Sequence, residues 1–303
     1  MKKYIFYIII VLSVSYFGCD KPAPTELIDD SGTSNNFEIE ILGGELDNEY
    51  YSNGYDTSGV IEDIRRFANI ISVSGIKITG TGRTDNISTA QVILSDKSNP
   101  VYSPGGRLIG YNTITPGVVR INSEPARITN LRIRFREQGV LIDTVLGKKY
   151  ELFNSDRRFF GDQFNFPYNS NINFSFTPFF GQPTSFDIPT PTEVTGTVKL
   201  VRLPDQNRFR AELNWTGTPA GKFSIVIGGV RAFNNQVFPF YRLRTEDDGS
   251  LIIPAGILSN IPRDRFNRIS ISFIRKFDNT IQLDNSELYI SSQSIHTIIV
   301  EIP

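Results

Sequence analysis

Residues 208–215 read Arg-Phe-Arg-Ala-Glu-Leu-Asn-Trp, and polar and apolar side chains alternate along the whole stretch. Successive side chains of a β-strand point to opposite faces, so this period of two places Phe209, Leu213 and Trp215 on one face. The charged side chains then lie on the other face. The pattern predicts a strand with one buried and one wet face, which is typical of an antiparallel sandwich.

The same alternation recurs on both sides of this stretch. Asp248-Gly249 between two alternating runs predicts a hairpin turn. Residues 58–67 carry apolar side chains at helical spacing, and residues 254–262 predict a single helical turn. The fold class expected from these patterns is all-β. The other predicted strands are 37–41, 70–79, 90–94, 118–121, 130–136, 140–145, 172–177, 222–227, 241–245, 251–253, 268–275 and 295–302.

A proline-rich stretch, Asp187-Ile-Pro-Thr-Pro-Thr192, divides the predicted strands into two groups. Proline cannot donate a hydrogen bond to a sheet ladder, so this stretch predicts an extended connector. We therefore expect two antiparallel β-sandwich domains, 37–190 and 191–303. Each has its own supply of large apolar residues, which predicts that residues 192–303 fold when expressed alone.

The second group of strands is similar to an immunoglobulin-like sandwich. Seven or eight short strands within about 110 residues match that architecture. The resemblance implies two packed antiparallel sheets in residues 191–303. It specifies no ligand, because the same fold hosts many functions.

The N-terminus carries an export signal. Met1-Lys2-Lys3 is followed by an apolar run from Tyr4 to Phe17 and then by Gly18-Cys19. A basic start, about 14 apolar residues and a small residue before a cut indicate a secretory signal. The run is too short to span a bilayer, which takes about 20 residues.

This segment resembles the signal peptide of bacterial lipoproteins, in which the cysteine after the cut is acylated. The resemblance implies a signal peptide at 1–18, lipidation of Cys19 and a Pro-, Ser- and Asn-rich tether up to residue 36. More than one acyl chain gives stable membrane attachment. Asp20 marks inner-membrane retention in enteric lipoproteins, but that rule does not hold in all lineages. We expect the outer membrane rather than the inner membrane.

Composition narrows the classes of function. Cys19 is the only cysteine of the chain, which excludes thiol catalysis and thiolate metal sites. The formal net charge of −1 does not favour nucleic acid as a partner. We predict no cofactor and no metal site.

Aromatic residues are the main candidates for ligand binding. Residues 153–186 contain ten phenylalanines interleaved with asparagine. Rings in loops on a sandwich can grip sugars or peptides, although packing in the core is the alternative. The stretches 159–168 and 178–181 are less periodic, so some of their rings are expected in exposed loops. The candidate ligand-binding residues are Phe159, Phe160, Phe164, Phe166 and Tyr168.

Three sets of polar residues could take part in chemistry or have an ordinary structural role. His296, the only histidine, is expected to be a hydrogen-bonded boundary residue of the last strand. An arginine-rich strand at 132–136 predicts a wet sheet face, with Glu38 and Glu40 as candidate neighbours. The segment 45–56 contains four carboxylates, Glu45, Asp47, Glu49 and Asp56. It suggests a solvated loop, and the alternatives are Ca²⁺ binding or glycoside hydrolysis by a pair of carboxylates.

Together these features favour a non-enzymatic, lipid-anchored cell-envelope protein with a binding or scaffolding role. Its expected partners are the membrane, through the lipid, and envelope proteins or glycans. One alternative is a surface glycan-binding lipoprotein that uses the Phe and Tyr loops of 153–181. The other is a secreted carboxylate-dependent glycoside hydrolase.

Overall fold

The computed structural model describes most of the chain between Phe37 and Ile302. Cys19, Phe159, Phe160 and the acidic segment 45–56 lie outside the described residues, as does the predicted helix at 58–67. The described residues are 37–42, 69–80, 82–106, 108–137, 140–156, 161–204, 208–218, 222–231, 237–283 and 286–302.

The all-β prediction is confirmed. A short helix, α1 (Ala255–Ser259), lies at the predicted turn, and the other elements described in this part of the chain are strands. In chain order the strands are β1 (Phe37–Ile41), β2 (Asn69–Gly80), β3 (Arg83–Tyr102), β4 (Leu108–Ile114), β5 (Gly117–Ile121), β6 (Glu124–Pro125), β7 (Arg127–Glu137), β8 (Val140–Ser155), β9 (Asn171–Pro178), β10 (Thr184–Pro189), β11 (Gly196–Arg202), β12 (Phe209–Trp215), β13 (Lys222–Val230), β14 (Val237–Thr245), β15 (Ser250–Ile253), β16 (Arg268–Leu283) and β17 (Ser286–Glu301).

One large sheet runs through the molecule. Among the described residues it has ten strands in the order β1-β14-β13-β16-β17-β2-β3-β8-β7, with β4 also paired to β3. The β17–β2 pair is parallel, and the neighbouring β16–β17 and β2–β3 pairs are antiparallel. Two smaller sheets complete the described fold, β10-β9-β5-β6 and β11-β12-β15.

Two apolar cores form between the large sheet and the smaller ones. The first core joins residues of β12 and β15 to β13, β14 and β16, and Trp215 is stacked on Phe223 with ring centroids 4.7 Å apart. The second core joins β5 and β9 to β2, β3 and β8, with Phe174 among its buried rings. Phe209, Leu213 and Trp215 are buried together, so the face predicted from residues 208–215 is confirmed.

Two long strands connect the cores. β16 and β17 have 16 residues each and run past both smaller sheets. Phe273 and Ile298 belong to the first core, whereas Ile281 and Leu288 pack in the second. Because a strand rises about 3.3 Å per residue, each of these strands is long enough to serve two cores in succession.

The strand pairing corrects the expectation of two independent sandwiches. β17 pairs with β2 from Leu288 to Ile298, and β1 pairs with β14. The boundary near residue 190 therefore separates two cores but not two sheets. Prolines near residue 190 do not prevent this pairing, because they affect only their own positions: Pro189 ends β10 opposite Asn171, and distant strands pair freely.

The predicted hairpin at Asp248-Gly249 is also wrong. β15 pairs with β12 in a small sheet, whereas β14 pairs with β1 and β13 in the large one. The turn thus carries the chain from one sheet to the other. Gly249 has a φ of +96°, and its carbonyl accepts a hydrogen bond from the Trp215 N–H at 2.8 Å. Left-handed backbone favours glycine at this point.

Expression of residues 192–303 alone tests this shared sheet. The fragment leaves the β17 edge without the eleven residue pairs it makes with β2, and it exposes Leu288 and Ile290. We expect it to aggregate or unfold, whereas residues 37–303 show one cooperative thermal transition by circular dichroism. Dispersed amide spectra and a cooperative transition from the fragment would show that the second core folds without the first.

Candidate functional site

Three of the predicted ligand-binding rings, Phe164, Phe166 and Tyr168, belong to the second core or pack against it. Phe164 and Phe166 are only 1% and 6% exposed, and Tyr168 is half-buried against the same cluster. The rings of Phe166 and Tyr168 meet edge to face with centroids 5.1 Å apart. Burial, with the charge of Glu193, raises the pKa of Tyr168 to about 12. Burial therefore removes Phe164 and Phe166 from the candidate ligand surface.

The local sequence explains why these rings turn inward. Gly75 of β2 lies directly beneath them, and an added Cβ there would come within 2.6 Å of Phe166 and of the Tyr168 hydroxyl. The backbone N–H of Phe166 donates to Ser88 Oγ on β3 at 2.9 Å. The missing side chain at Gly75 leaves room for the rings, and the hydrogen bond to Ser88 holds the loop against the sheet. The sequence of the loop has no regular period, so it does not indicate this packing.

Serine side chains attach the connector between the cores to the large sheet. Ser292 Oγ donates to the carbonyl of Pro189 at 2.6 Å, and the N–H of Val194 donates to Ser294 Oγ at 2.8 Å. Alternate residues of β17 thus bind the segment that leads from Pro189, the last residue of β10, towards β11. Buried backbone groups need partners, and here side chains supply them.

His296 continues this row. It is buried, and its Nδ1 accepts from the Gly196 N–H at 2.9 Å, so Nε2 carries the proton and donates to Thr79 Oγ1 at 3.0 Å. Burial, with the nearby Lys77, lowers the pKa of His296 to about 4, and Glu193 opposes the shift. Both ring nitrogens are therefore used inside the protein, as expected for a structural histidine.

Arg275 of β16 binds three separate segments at once. Its Nε and Nη2 donate to the two carboxylate oxygens of Asp247 at 2.6 and 3.0 Å. Nη1 donates to Thr192 Oγ1 at 2.7 Å, and Nη2 also donates to the carbonyl of Thr216 at 2.6 Å. The side chains of Arg275 and Asp247 are 1% and 4% exposed. A two-pronged arginine–carboxylate pair of this kind fixes orientation as well as charge.

The arginine-rich strand does not meet the predicted acidic neighbours. Glu40 of β1 pairs with Arg242 and Arg244 of β14 at 3.0 and 2.8 Å. Arg132 of β7 pairs with Asp143 of β8 at 3.2 Å. β1 and β7 lie at opposite ends of the strand order, which keeps the two patterns apart. Similar alternation in two strands is no indication that they are neighbours.

A charged groove of about 550 Å³ lies beside β13, β14 and β16. Its cations face carboxylates: Lys222 Nζ lies 2.9 Å from Asp278 Oδ1, and the Tyr289 hydroxyl donates to Asp278 Oδ2 at 3.1 Å. Hydrogen bonds and the positive charges of Lys222 and Lys276 lower the pKa of Asp278 although burial acts in the opposite direction. Arg242 and Arg244 bind Glu40 of β1, and Asp247 binds Arg275, so most of the lining charges have an ionic partner and the groove does not favour an anion or a cation. It is lined by Lys222, Phe223, Ser224, Arg242, Arg244, Thr245, Glu246, Asp247, Lys276 and Asp278.

Two exposed rings lie outside the candidate residues. Phe179 and Phe180, in the turn between β9 and β10, are 65% and 95% exposed. The expectation of exposed rings at 178–181 is thereby confirmed. Ile114 and Val118 flank Pro116 and Gly117, which contact this turn, and they are also exposed apolar residues. The sequence indicates this exposure, because the two rings lie between the turn-forming residues Pro178 and Gly181 and outside any alternation of polar and apolar residues.

The described part of the chain shows no group of three or more His, Cys, Asp or Glu residues placed to hold a metal ion. Within that same part, no helix has the length and apolar character needed to cross a membrane. The acidic segment 45–56 lies outside the described residues, so its carboxylates stay a prediction.

Replacing Arg275 by lysine tests the buried arginine cluster. Lysine keeps the positive charge but lacks the several N–H donors of the planar guanidinium. Asp247 and the carbonyl of Thr216 would therefore lose hydrogen-bond donors in a site that water does not reach. We expect Arg275→Lys to lower the free energy of unfolding by about 3–5 kcal/mol in urea titrations. The control is Arg132→Lys, whose exposed pair with Asp143 is worth under about 1 kcal/mol. Equal effects from both variants would contradict a central role for Arg275.

The depressed pKa of His296 predicts a pH dependence of stability. Between pH 4 and about 6.5 the unfolded chain binds a proton that the folded chain excludes, so acid favours unfolding. This contribution is present above pH 6.5 and is lost as the pH falls to about 4.

We expect His296→Gln to flatten the rise in unfolding free energy between these pH values, by up to about 3 kcal/mol relative to wild type. Urea titrations of both proteins across this range measure the difference. Parallel pH profiles would mean that His296 titrates alike in the folded and unfolded chains.

Comparison with known proteins assigns no family. No protein-family description matches the chain, and no curated protein matches it significantly. Among solved structures, the yeast delta-COP-I mu-homology domain complexed with a Dsl1 WxWxV peptide is similar over 76% of this chain and 98% of its own. The identity is 8% and the TM-score 0.26, a likeness too small to support any argument about fold or function.

Proposed function

We propose that the protein is a lipid-anchored protein of the cell envelope with a non-enzymatic binding or scaffolding role. The observation that carries the proposal is the position of Cys19. It directly follows the apolar run and a small residue, and the chain has no other cysteine. The proposed location is the outer membrane rather than the inner membrane.

The buried ionisable side chains of the folded body bind other parts of the protein, which supports a role without catalysis. Arg275 and Asp247 bind each other and the backbone in the interior. His296 engages both ring nitrogens in hydrogen bonds. A general base needs a free position within reach of substrate, so side chains held in this way serve the architecture.

The tether sets the working distance of this body from the membrane. Residues 19–36 form a polar segment of 18 residues. A flexible chain of that length has a root-mean-square span of about 23 Å. The body would therefore act close to the bilayer surface, where a rigid β-platform can hold or position a partner.

A glycan-binding role for the loops of 153–181 is the second candidate. The exposure of Phe179 and Phe180 favours it, because sugars stack on open rings. The burial of Phe164 and Phe166 weakens it, since two members of the proposed platform face the core. The carboxylates named for the hydrolase alternative, Glu45, Asp47, Glu49 and Asp56, lie outside the described residues, so that alternative stays a prediction.

Substitution of Cys19 tests the anchor. Nothing else in the chain offers a thiol for a diacylglyceryl thioether, so Cys19→Ala should lose metabolic labelling by a fatty acid. The protein should then accumulate as a soluble or unprocessed form, as seen by cell fractionation. Gly18→Ala is the matched control, because it keeps a small residue before the cut and should retain the label. Labelling that survives in Cys19→Ala would refute the anchor.

A further inference from the structure

The turn between β9 and β10 forms an apolar tip at one end of the four-stranded sheet. Phe180 is 95% exposed and Phe179 is 65% exposed. Val118 of β5 and Ile114 at the end of β4 add exposures of 43% and 46%. Large apolar side chains grouped on a surface in this way mark an interaction site more often than scattered ones do.

Backbone contacts hold this tip in place. The N–H of Phe179 donates to the carbonyl of Pro116 at 2.8 Å, which ties the turn to the chain segment before β5. Gly117 pairs with Pro178, and an added Cβ on Gly117 would meet the carbonyl oxygen of Thr177. Gly181 closes the turn with a φ of +116°. The rings are therefore presented by a braced hairpin.

The turn and the segment that braces it lack charge, although β3, which pairs with β4 at Leu94 and Ile114, carries Asp96 and Lys97. Residues 108–119 and 174–186 contain no Asp, Glu, Lys or Arg. With 21% charged residues in the whole chain, 25 average positions would hold about five. Charged side chains are the groups that resist transfer into a lipid interface, so their absence from both segments is favourable for contact with lipid.

The shape of the tip decides between partners. A sugar platform needs hydrogen-bonding groups beside an open ring, and a protein partner needs a groove to receive the rings. A bilayer accepts a protruding pair of apolar side chains without any preformed pocket, and aromatic rings concentrate at its interface. A protruding, braced turn without charged residues of its own fits that third partner best.

We propose that Phe179 and Phe180 insert into the interface of the membrane to which Cys19 is anchored, so that the body contacts the bilayer at two points. The inference rests on the proposed lipid anchor. Eighteen tether residues reach at most about 60 Å when fully extended, enough for a body of this size to lay one end on the same membrane. The second contact would restrict its orientation.

Fluorescence quenching by lipid tests the insertion. Full-length lipidated protein carrying Phe180→Trp is purified and reconstituted into phosphatidylcholine vesicles with acyl chains brominated near the interface. The native Trp215 is buried, so wild-type protein gives the background emission. We expect Phe180→Trp to add emission that is blue-shifted in plain vesicles and lost in brominated ones. The loss should not change with salt, because the turn has no charged residues of its own.

Tyr102→Trp is the matched control. Tyr102 is 58% exposed, and it pairs with Leu108, at the opposite end of β4 from Ile114. Its added emission should escape quenching. Emission from Phe180→Trp that is unshifted and no more quenched than that of Tyr102→Trp would overturn the proposal and favour a glycan or protein partner for the tip.

Acylation of Cys19 is measured separately from insertion of the tip. Mass spectrometry of the purified protein shows whether Cys19 carries acyl chains. An acylated protein with an unquenched tip overturns the insertion alone and leaves the anchor intact. If Cys19 is not acylated, the anchor fails, and the protein is added to preformed brominated vesicles. Quenching of Phe180→Trp there supports insertion by the tip, and its absence overturns it.

Discussion

The architecture depends on one buried cation, the guanidinium of Arg275. It lies on a strand of the large sheet and binds the Asp247 carboxylate, the connector at Thr192 and the carbonyl of Thr216. A buried charge without partners is costly, so the folded state is stable only when these separate segments come together around it. The same Asp247 accepts the indole N–H of Trp215, which couples the ion pair to the first apolar core.

The row of polar side chains on β17 extends this constraint to the second core. Ser292 and Ser294 bind the connector at Pro189 and Val194, and His296 binds Gly196 at the start of β11. Side chains thereby fix to the sheet a segment that joins no ladder between β10 and β11. This arrangement lets one sheet carry two cores whose covering sheets are joined by a proline-rich segment, and it accounts for the burial of these three side chains.

Burial also divides the aromatic residues by role. Phe164 and Phe166 fill the second core beneath a loop, whereas Phe179 and Phe180 protrude from a braced turn. Residues of one type, 13 to 16 positions apart on the chain, thus pack in the core in one place and face outward in the other. For a protein proposed to stand on a short lipid tether, an outward apolar tip is a natural second contact with the membrane.

The sequence by itself determined most of the strand segments, because side-chain alternation with period two is a local property, but it did not indicate β4, β10 or β11. It also determined the buried face of 208–215 and a helical turn within 254–262, and it predicts an export signal before Cys19. Only the tertiary structure decided which strands pair and which polar groups are buried. Gly196 and His296 are 100 residues apart, and Arg275 and Thr192 are 83 apart, when they bind each other. Local periodicity carries no information about partners at such separations. Only the folded structure shows that the two cores share one sheet, that β14 and β15 do not form a hairpin and that Phe166 faces inward.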